Sequence, residues 1–421
     1  MLKAFAGSFI KSVTPAPTTQ DVTGIGFQPT ALILFTSGGT LGAGAIVRGC
    51  FGLCDSVLNQ QSSSYSVRNG QTIAGAANAR GATRDNTRAL VLVDPALGLT
   101  PAAIAARASV SSMLADGFRL SWDVNDLTTS RVHFIALGGD LRSALLAYTL
   151  PTVTGNVVVT GAGFRPEAVV HVFGGTSGVG SNEYEVILGV ATRHAEQWAL
   201  DSIMQEDVFN PDTANGQEFF RTDHCVTITR TQGANAAHRA EHVSMDTDGF
   251  TINQTFVGPL ALAESMRALC LSSIDAAAPD FAKVASPAST QTLGPVFFQP
   301  RVVLLAGYTV SAATPSSSSV DISLTHGAST GGSVQEASFA FDQDGGGGPT
   351  PVAVAAQYES ITEAFLYTST VPPPVEALAT VSLQARDVTL TWVPNSANAA
   401  RIGALILGDR PLDRMRDGLG L

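Results

Sequence analysis

Three short stretches carry the residue types and spacings of reaction chemistry. Val158-Val159-Thr160 leads into Gly161-Ala162-Gly163, which is how a dinucleotide-binding loop begins. Such a loop needs a third small residue and then a helix whose N-terminus takes the pyrophosphate. Pro166 stands at the third position, and the strand-forming run Ala168-Val169-Val170-His171-Val172 follows, so no nucleotide site is expected. Gly327-Ala328-Ser329-Thr330-Gly331, beside His326, has the GxSxG spacing of a nucleophilic serine. That motif works only on a strand-to-helix elbow. Here it lies in a Ser/Gly-rich segment after Ile322-Ser323-Leu324, and an exposed hairpin loop is the expectation. Asp342-Gln343-Asp344-Gly345 opens like a calcium loop, but Ala353 occupies the twelfth position, where a bidentate Glu is required. These stretches therefore supply no catalytic residue, no cofactor-binding residue and no metal ligand.

The remaining reactive side chains are read in the same way. Five of the seven histidines, His171, His194, His224, His238 and His242, fall in the middle third of the chain. His238 and His242 are four apart, on one face of a helix or a strand, but zinc needs about four ligands in a preformed geometry. A polar sandwich face is the expectation. Asp55, Asp123, Asp126 and Asp140 are scattered through turns, and nothing pairs them as acid and base. Trp122, Trp198 and Trp392 have rings that stack on sugars, yet Trp122 and Trp392 take the same position in the repeat described next, which argues for core or interface. Cys50, Cys54, Cys225 and Cys270 form no CxxC pair. Cys50 and Cys54 lie four apart in a strand-like run and so share a face. Buried free thiols are expected, in a protein assembled in a reducing cytosol.

The elements that hold these residues recur three times. One motif is a turn, a Phe, a polar residue, a Pro and an apolar β-branched run. It occupies Val22 to Leu34, Val158 to Val170 and Thr292 to Leu304. A second landmark follows at Asp116-Gly117-Phe118 and Asp248-Gly249-Phe250, and in degenerate form at Arg386-Asp387-Val388. A closing apolar strand ends near Gly138, Ser272 and Gly408. From the motif Phe to the second landmark is 91, 86 and 90 residues (27 to 118, 164 to 250, 298 to 388). From landmark to closing strand is 20, 22 and 20 (118 to 138, 250 to 272, 388 to 408). A period near 135 residues is too long for a solenoid and reads as whole tandem domains. The division is 1–141, 142–276 and 277–409, with a charged tail at 410–421.

Composition agrees. The 421 residues are 45% hydrophobic and only 14% charged, with 41 Gly and 21 Pro, as suits a packed, turn-rich protein. Abundant Val, Ile, Thr, Ser and Ala make the expected class all-β, with three tandem antiparallel β-sandwich domains. Ala31-Leu32-Ile33-Leu34-Phe35 lacks alternation, so its strand is expected to be buried on both faces. Segments 55–88, 192–222 and 307–335 read as long loops. The net charge of −11 comes without a Lys/Arg block, which argues against a nucleic-acid groove. No apolar run reaches the ~18 residues of a membrane span. Met1 to Lys11 reads as a first strand rather than a signal peptide.

The Gly-Phe-x-Pro-x-Ala strand, the Asp-Gly-Phe strand and the closing Ala-Leu-Gly-Gly strand resemble domains of structural proteins from tailed bacteriophages, which are similar to compact H-type-lectin-like β-sandwich modules. The resemblance spans nearly the whole chain three times over. It is strongest in 22–35, 116–140 and 158–173; the third copy lacks Asp-Gly and has Pro295 in the turn. It implies a non-enzymatic virion component, a capsid decoration or a tail appendage, assembled in the host cytoplasm. The implied partners are other virion proteins and further copies of the chain, with no nucleic acid and no membrane insertion. No functional residue carries over. A second reading is a receptor- or glycan-binding tail-fibre or adhesin module. A hydrolase using Ser329 is the third.

Overall fold

A computed structural model describes residues 1–39, 42–44, 46–68, 79–94, 103–174, 183–205, 215–229, 236–259, 261–285, 289–308, 317–318, 321–343, 354–367, 376–396 and 400–410. Among them the regular structure is β-strand throughout, paired antiparallel into six sheets. Each third of the chain supplies one long sheet and one four-stranded sheet.

The first long sheet runs Leu2–Ile10, Arg131–Gly139, Pro29–Thr36, Ile46–Cys54, Gln60–Arg68 and Ala79–Asp85. Its four-stranded partner runs Thr18–Thr23, Gly117–Asn125, Ala103–Leu114 and Leu90–Asp94. The second pair keeps this order: Arg142–Leu150, Glu264–Ser272, Ala168–Gly174, Glu183–Thr192, Gln197–Gln205 and Asn215–Arg221, with Gly155–Thr160, Gly249–Val257, Ala236–Asp246 and Val226–Thr229. In the third pair, Asp275–Ala277 and Asp280–Ala282 both edge Arg401–Asp409. Gln299–Tyr308, Asp321–Gly331, Val334–Gln343 and Val354–Ser360 follow. Its small sheet is Ser289–Leu293, Val388–Trp392, Ala377–Leu383 and Phe365–Tyr367.

Much of the three expected loops is strand. Gln60–Arg68 and Ala79–Asp85 lie in 55–88, Gln197–Gln205 and Asn215–Arg221 in 192–222, and Asp321–Gly331 in 307–335. Their polarity hid them. Ser62, Ser63, Ser64 and Ser66 are buried, and the Ser64 hydroxyl donates to the Val91 carbonyl at 2.7 Å. A serine that bonds a backbone carbonyl tolerates burial that composition alone does not suggest.

Two further pairings cross between sheet systems. Gly42–Gly44 adds to the free edge of Val354–Ser360, and Ser317–Ser318 adds to the edge of Asn215–Arg221. Each covers backbone groups that an open edge strand exposes.

The core has two kinds of layer. Within each sandwich, the two sheets enclose residues such as Phe118, Trp122 and Phe134, or Phe250 and Ile252, or Leu390 and Trp392. A separate central layer joins the outer faces of all three long sheets through Ile33, Phe35, Val170, Leu188, Leu304 and Leu405. This explains the runs without alternation. Ala31 to Phe35 are all fully buried because one face meets the sandwich interior and the other the central layer. Trp122 and Trp392 are core residues, as their shared position suggests. The buried amines of Lys11 and Lys283 lie 5.7 and 5.8 Å from their rings. Both lysines are held by an asparagine, Lys11 by Asn125 and Lys283 by Asn395, each at 2.7 Å.

Candidate functional site

The Gly161-Ala162-Gly163 turn binds an anion that the chain itself provides. The amides of Gly161 and Gly163 donate to the Asp248 carboxylate at 3.1 and 2.5 Å. In the first pair Gly24 donates to Asp116 at 3.1 Å, and Gly26 makes the matching bond. Positive φ at Gly24, Gly26, Gly161 and Gly163 aims successive amides at one point, forming a nest for a carboxylate. The resemblance to a phosphate loop thus has a physical basis, but Asp-Gly fills the nest from the neighbouring strand. Removing that carboxylate in Asp116→Ala or Asp248→Ala is expected to cost about 1–2 kcal/mol, measured by urea unfolding. The Asn substitutions are expected to cost less, because the amide oxygen still accepts.

Ser329 and His326 do not form a catalytic pair. Both lie in the Asp321–Gly331 strand, not in an exposed loop, and three residues apart they face opposite sides. The buried Ser329 hydroxyl donates to Val334 O at 2.9 Å and accepts from the Gly331 amide. His326 packs on Phe51 and Phe35, with ring centroids 5.1 and 6.1 Å away. Burial lowers its pKa to about 3, so it is neutral in neutral solution.

The middle-third histidines separate into different environments. His171 takes the Tyr148 hydroxyl at 2.9 Å, and its pKa falls to about 3 through burial and the nearby His242. His238 bonds Leu262 O and Gln254. Bulges at Arg239/Ala240 and His242/Ser244 break the strand period around His242. His194 contacts Asp275 at 3.1 Å, and His224 contacts Thr255 at 2.9 Å. Among the described residues no three His, Cys, Asp or Glu side chains come together as metal ligands. Of the tetrad Asp342 to Gly345, Asp342 and Gln343 end the Val334–Gln343 strand, and Asp344 and Gly345 lie outside the described residues. All four cysteines are buried and free, with Cys50 and Cys54 in one core layer. Burial raises the Cys50 thiol pKa to about 11. Asp201 is fully buried, and burial holds its carboxyl well above the usual range.

The polar groups that sequence reasoning missed lie where the sheet pairs meet. Gly52, Gly189 and Gly327 mark one position: a Cβ on each would lie 1.7–1.8 Å from a carbonyl oxygen, that of Ala89, Cys225 or Ala364. Counting from them along the paired strands, Gln61, Trp198 and Glu336 correspond, as do Arg84, Phe220 and Glu359. On the closing strands the register equates His133, Arg267 and Gly403.

At each junction the first kind of couple meets the closing strand of another sheet pair. Glu336 and Glu359 enclose His133, whose Nδ1 lies 2.5 Å from Glu336 and whose Nε2 bonds Glu359. Burial alone lowers the His133 pKa, but the charges and hydrogen bonds of Glu359 and Glu336 more than reverse this and hold it at about 9. Glu359 also accepts from the Ser37 amide and hydroxyl at 2.9 and 2.7 Å. At the second junction Trp198 donates to Ala404 O at 3.0 Å, and its ring occupies the space left by Gly403, where a Cβ would lie 2.5 Å from it. Phe220 stacks on Trp198 at 6.3 Å, and the Arg401 guanidinium lies 6.0 Å from the Phe220 ring centroid. At the third, Arg84 donates to Ser265 O at 2.7 Å, and Gln61 is buried in the same face. Equivalent positions thus hold an ion network, an aromatic in a glycine notch, and an arginine on a backbone carbonyl. Each junction fits its own partner and not the others, which fixes the cyclic order of the sheet pairs. No protein-family model matches the chain, and no curated protein is similar to it in sequence.

Proposed function

We propose that the chain is a non-enzymatic structural component of a bacteriophage virion, a capsid decoration or tail appendage that works through contacts with other virion proteins. The observation that supports this most is the use of the chemistry-bearing residues. His133, Glu336, Glu359, Trp198 and Arg84 join sheet pairs, and Asp116 and Asp248 close turns. Such commitments favour a rigid building block. The motif resemblance to tailed-phage structural domains supplies the virion context. The central apolar layer adds rigidity, leaving the outward faces for neighbours.

Labelled antibody and electron microscopy of purified particles test the reading. Label spread over the head is the expected result for a decoration, and label on the tail for an appendage. Particles that carry no label overturn it. A glycan array is the companion measurement: selective, saturable binding of one glycan favours the adhesin reading instead.

A further inference from the structure

The third sheet pair departs from its sisters at one place, and a cavity opens there. Register aligns Asp116, Asp248 and Arg386, because the backbone carbonyl of each accepts from an equivalent turn amide, that of Ile25, Ala162 or Val296. It also aligns Gly24 and Gly161 with Pro295, and Gly26 and Gly163 with Phe297. The two amides that hold a carboxylate in the first two pairs are therefore altered together with the carboxylate. Pro295 has no amide proton, Phe297 projects to solvent with 73% exposure, and a guanidinium replaces the acid. The glycine has moved as well: Gly117 and Gly249 face Thr23 and Thr160, whereas Gly294 faces Asp387.

The cavity is about 530 Å³, lined among others by Met1, Phe297, Phe298, Gln299, Arg301 and Arg386. It lies where the ends of the three closing strands converge, at Asp140, Ser273 and Asp409. Most of its charges are already paired. Arg301 holds Asp409 at 2.7 Å, Arg410 holds Glu167, and the Met1 ammonium holds Asp140. Arg386 is exposed and has no ion pair among the described residues. In the second pair Arg142 lies 4.7 Å over Phe164 and covers the turn. Asp275 takes the equivalent place in the third pair and turns to His194, so no arginine from that strand lies over Phe298, which is buried like Phe164.

We propose that this cavity is a docking pocket for an acidic segment of a partner protein, whose carboxylate pairs with Arg386 while an adjoining apolar side chain covers Phe297. In the sister turns the carboxylate accepts from two turn amides; in the third the Asp387 carboxylate lies against Gly294 instead, and Arg386 stands exposed without an ion pair among the described residues, beside the exposed ring of Phe297. A cavity of this size takes one or two side chains, as the central anchor of a protein interface does. The inference rests on the assembly reading only in taking the partner to be a protein.

The test is a titration of the full chain with acetyl-Leu-Asp-Phe-amide, followed by the Arg386 Nε–H NMR signal, which is assigned by its loss in Arg386→Lys. A saturable shift is expected, with affinity at least about tenfold weaker for the Asn peptide, because a charge-assisted bond is lost. Isothermal titration calorimetry is expected to show no peptide binding to Arg386→Asp and severalfold weaker binding to Phe297→Gly, with the far-ultraviolet spectrum of both variants unchanged. Three results overturn the proposal: no saturable shift, equal binding of the Asn peptide, or sodium acetate binding as well as the peptide. A concentration-dependent shift without any peptide overturns it too, by making a second copy the occupant. Particle labelling is a separate readout, so failure of the pocket leaves the virion reading intact, and the converse holds.

Discussion

Replacing His133 by alanine is expected to lower the stability of the protein by about 3–5 kcal/mol, because it leaves Glu336 and Glu359 buried without their cation. The penalty is mostly that of uncompensated charge, so removing one acid is expected to be milder than removing the base. Of the two, Glu359→Gln is expected to cost more than Glu336→Gln, since Glu359 also accepts two bonds from Ser37. The same network sets a pH dependence. The folded-state pKa of His133 is raised to about 9, above the unfolded value near 6.5. Its stabilisation is therefore fully present below the unfolded value and is lost as pH rises through the folded one. Between pH ~6.5 and ~9 the wild type is expected to lose up to about 3 kcal/mol that His133→Ala does not lose. Urea unfolding of both proteins across that range measures the difference. Parallel curves would remove His133 from the account.

Alanine at Gly52, Gly189 or Gly327 is expected to cost more than about 4 kcal/mol or to prevent folding. None of these glycines has a positive φ; each is required because the small sheet brings a carbonyl oxygen within 1.7–1.8 Å of the missing Cβ. The obstacle is backbone, so no side-chain rotation relieves it. Gly332 is the control. Its φ of +63° disfavours alanine, but nothing lies within 4 Å, so Gly332→Ala is expected to cost only about 1–2 kcal/mol. A melting-temperature series over the four variants separates the two mechanisms. Equal effects at all four would mean that the close sheet approach is wrong.

What could be read from the sequence was whatever recurs. The apolar runs after Pro29, Pro166 and Pro300 and the closing strands were visible because double burial suppresses alternation. The matching positions of Trp122 and Trp392 point to core or interface, and both lie in the core. The Gly-x-Gly turns were identified as structural through comparison among the copies, but the aspartate that fills them was not, since it arrives from 85–92 residues away. The Ser-rich strand at Gln60–Arg68 was missed because its run of small hydroxyls, buried in the sheet, has the polarity of a loop. The junctions were hidden for a deeper reason. A repeat is recognised by sameness, whereas His133, Arg267 and Gly403 work by differing at one position. The short additions at Gly42–Gly44 and Ser317–Ser318 are too brief for any periodicity to reveal.

The central claim is that the central layer and three dissimilar junctions make the sheet pairs a single unit. Equilibrium urea unfolding, followed in parallel by far-ultraviolet circular dichroism and by tryptophan fluorescence, tests it most directly. Trp122 reports the first pair, Trp392 the third, and Trp198 the junction between the second and third. The account predicts one transition with coincident midpoints in both signals, shifted as a whole by His133→Ala. Separate transitions, with His133→Ala moving only one of them, would contradict it and leave three sandwiches that fold independently.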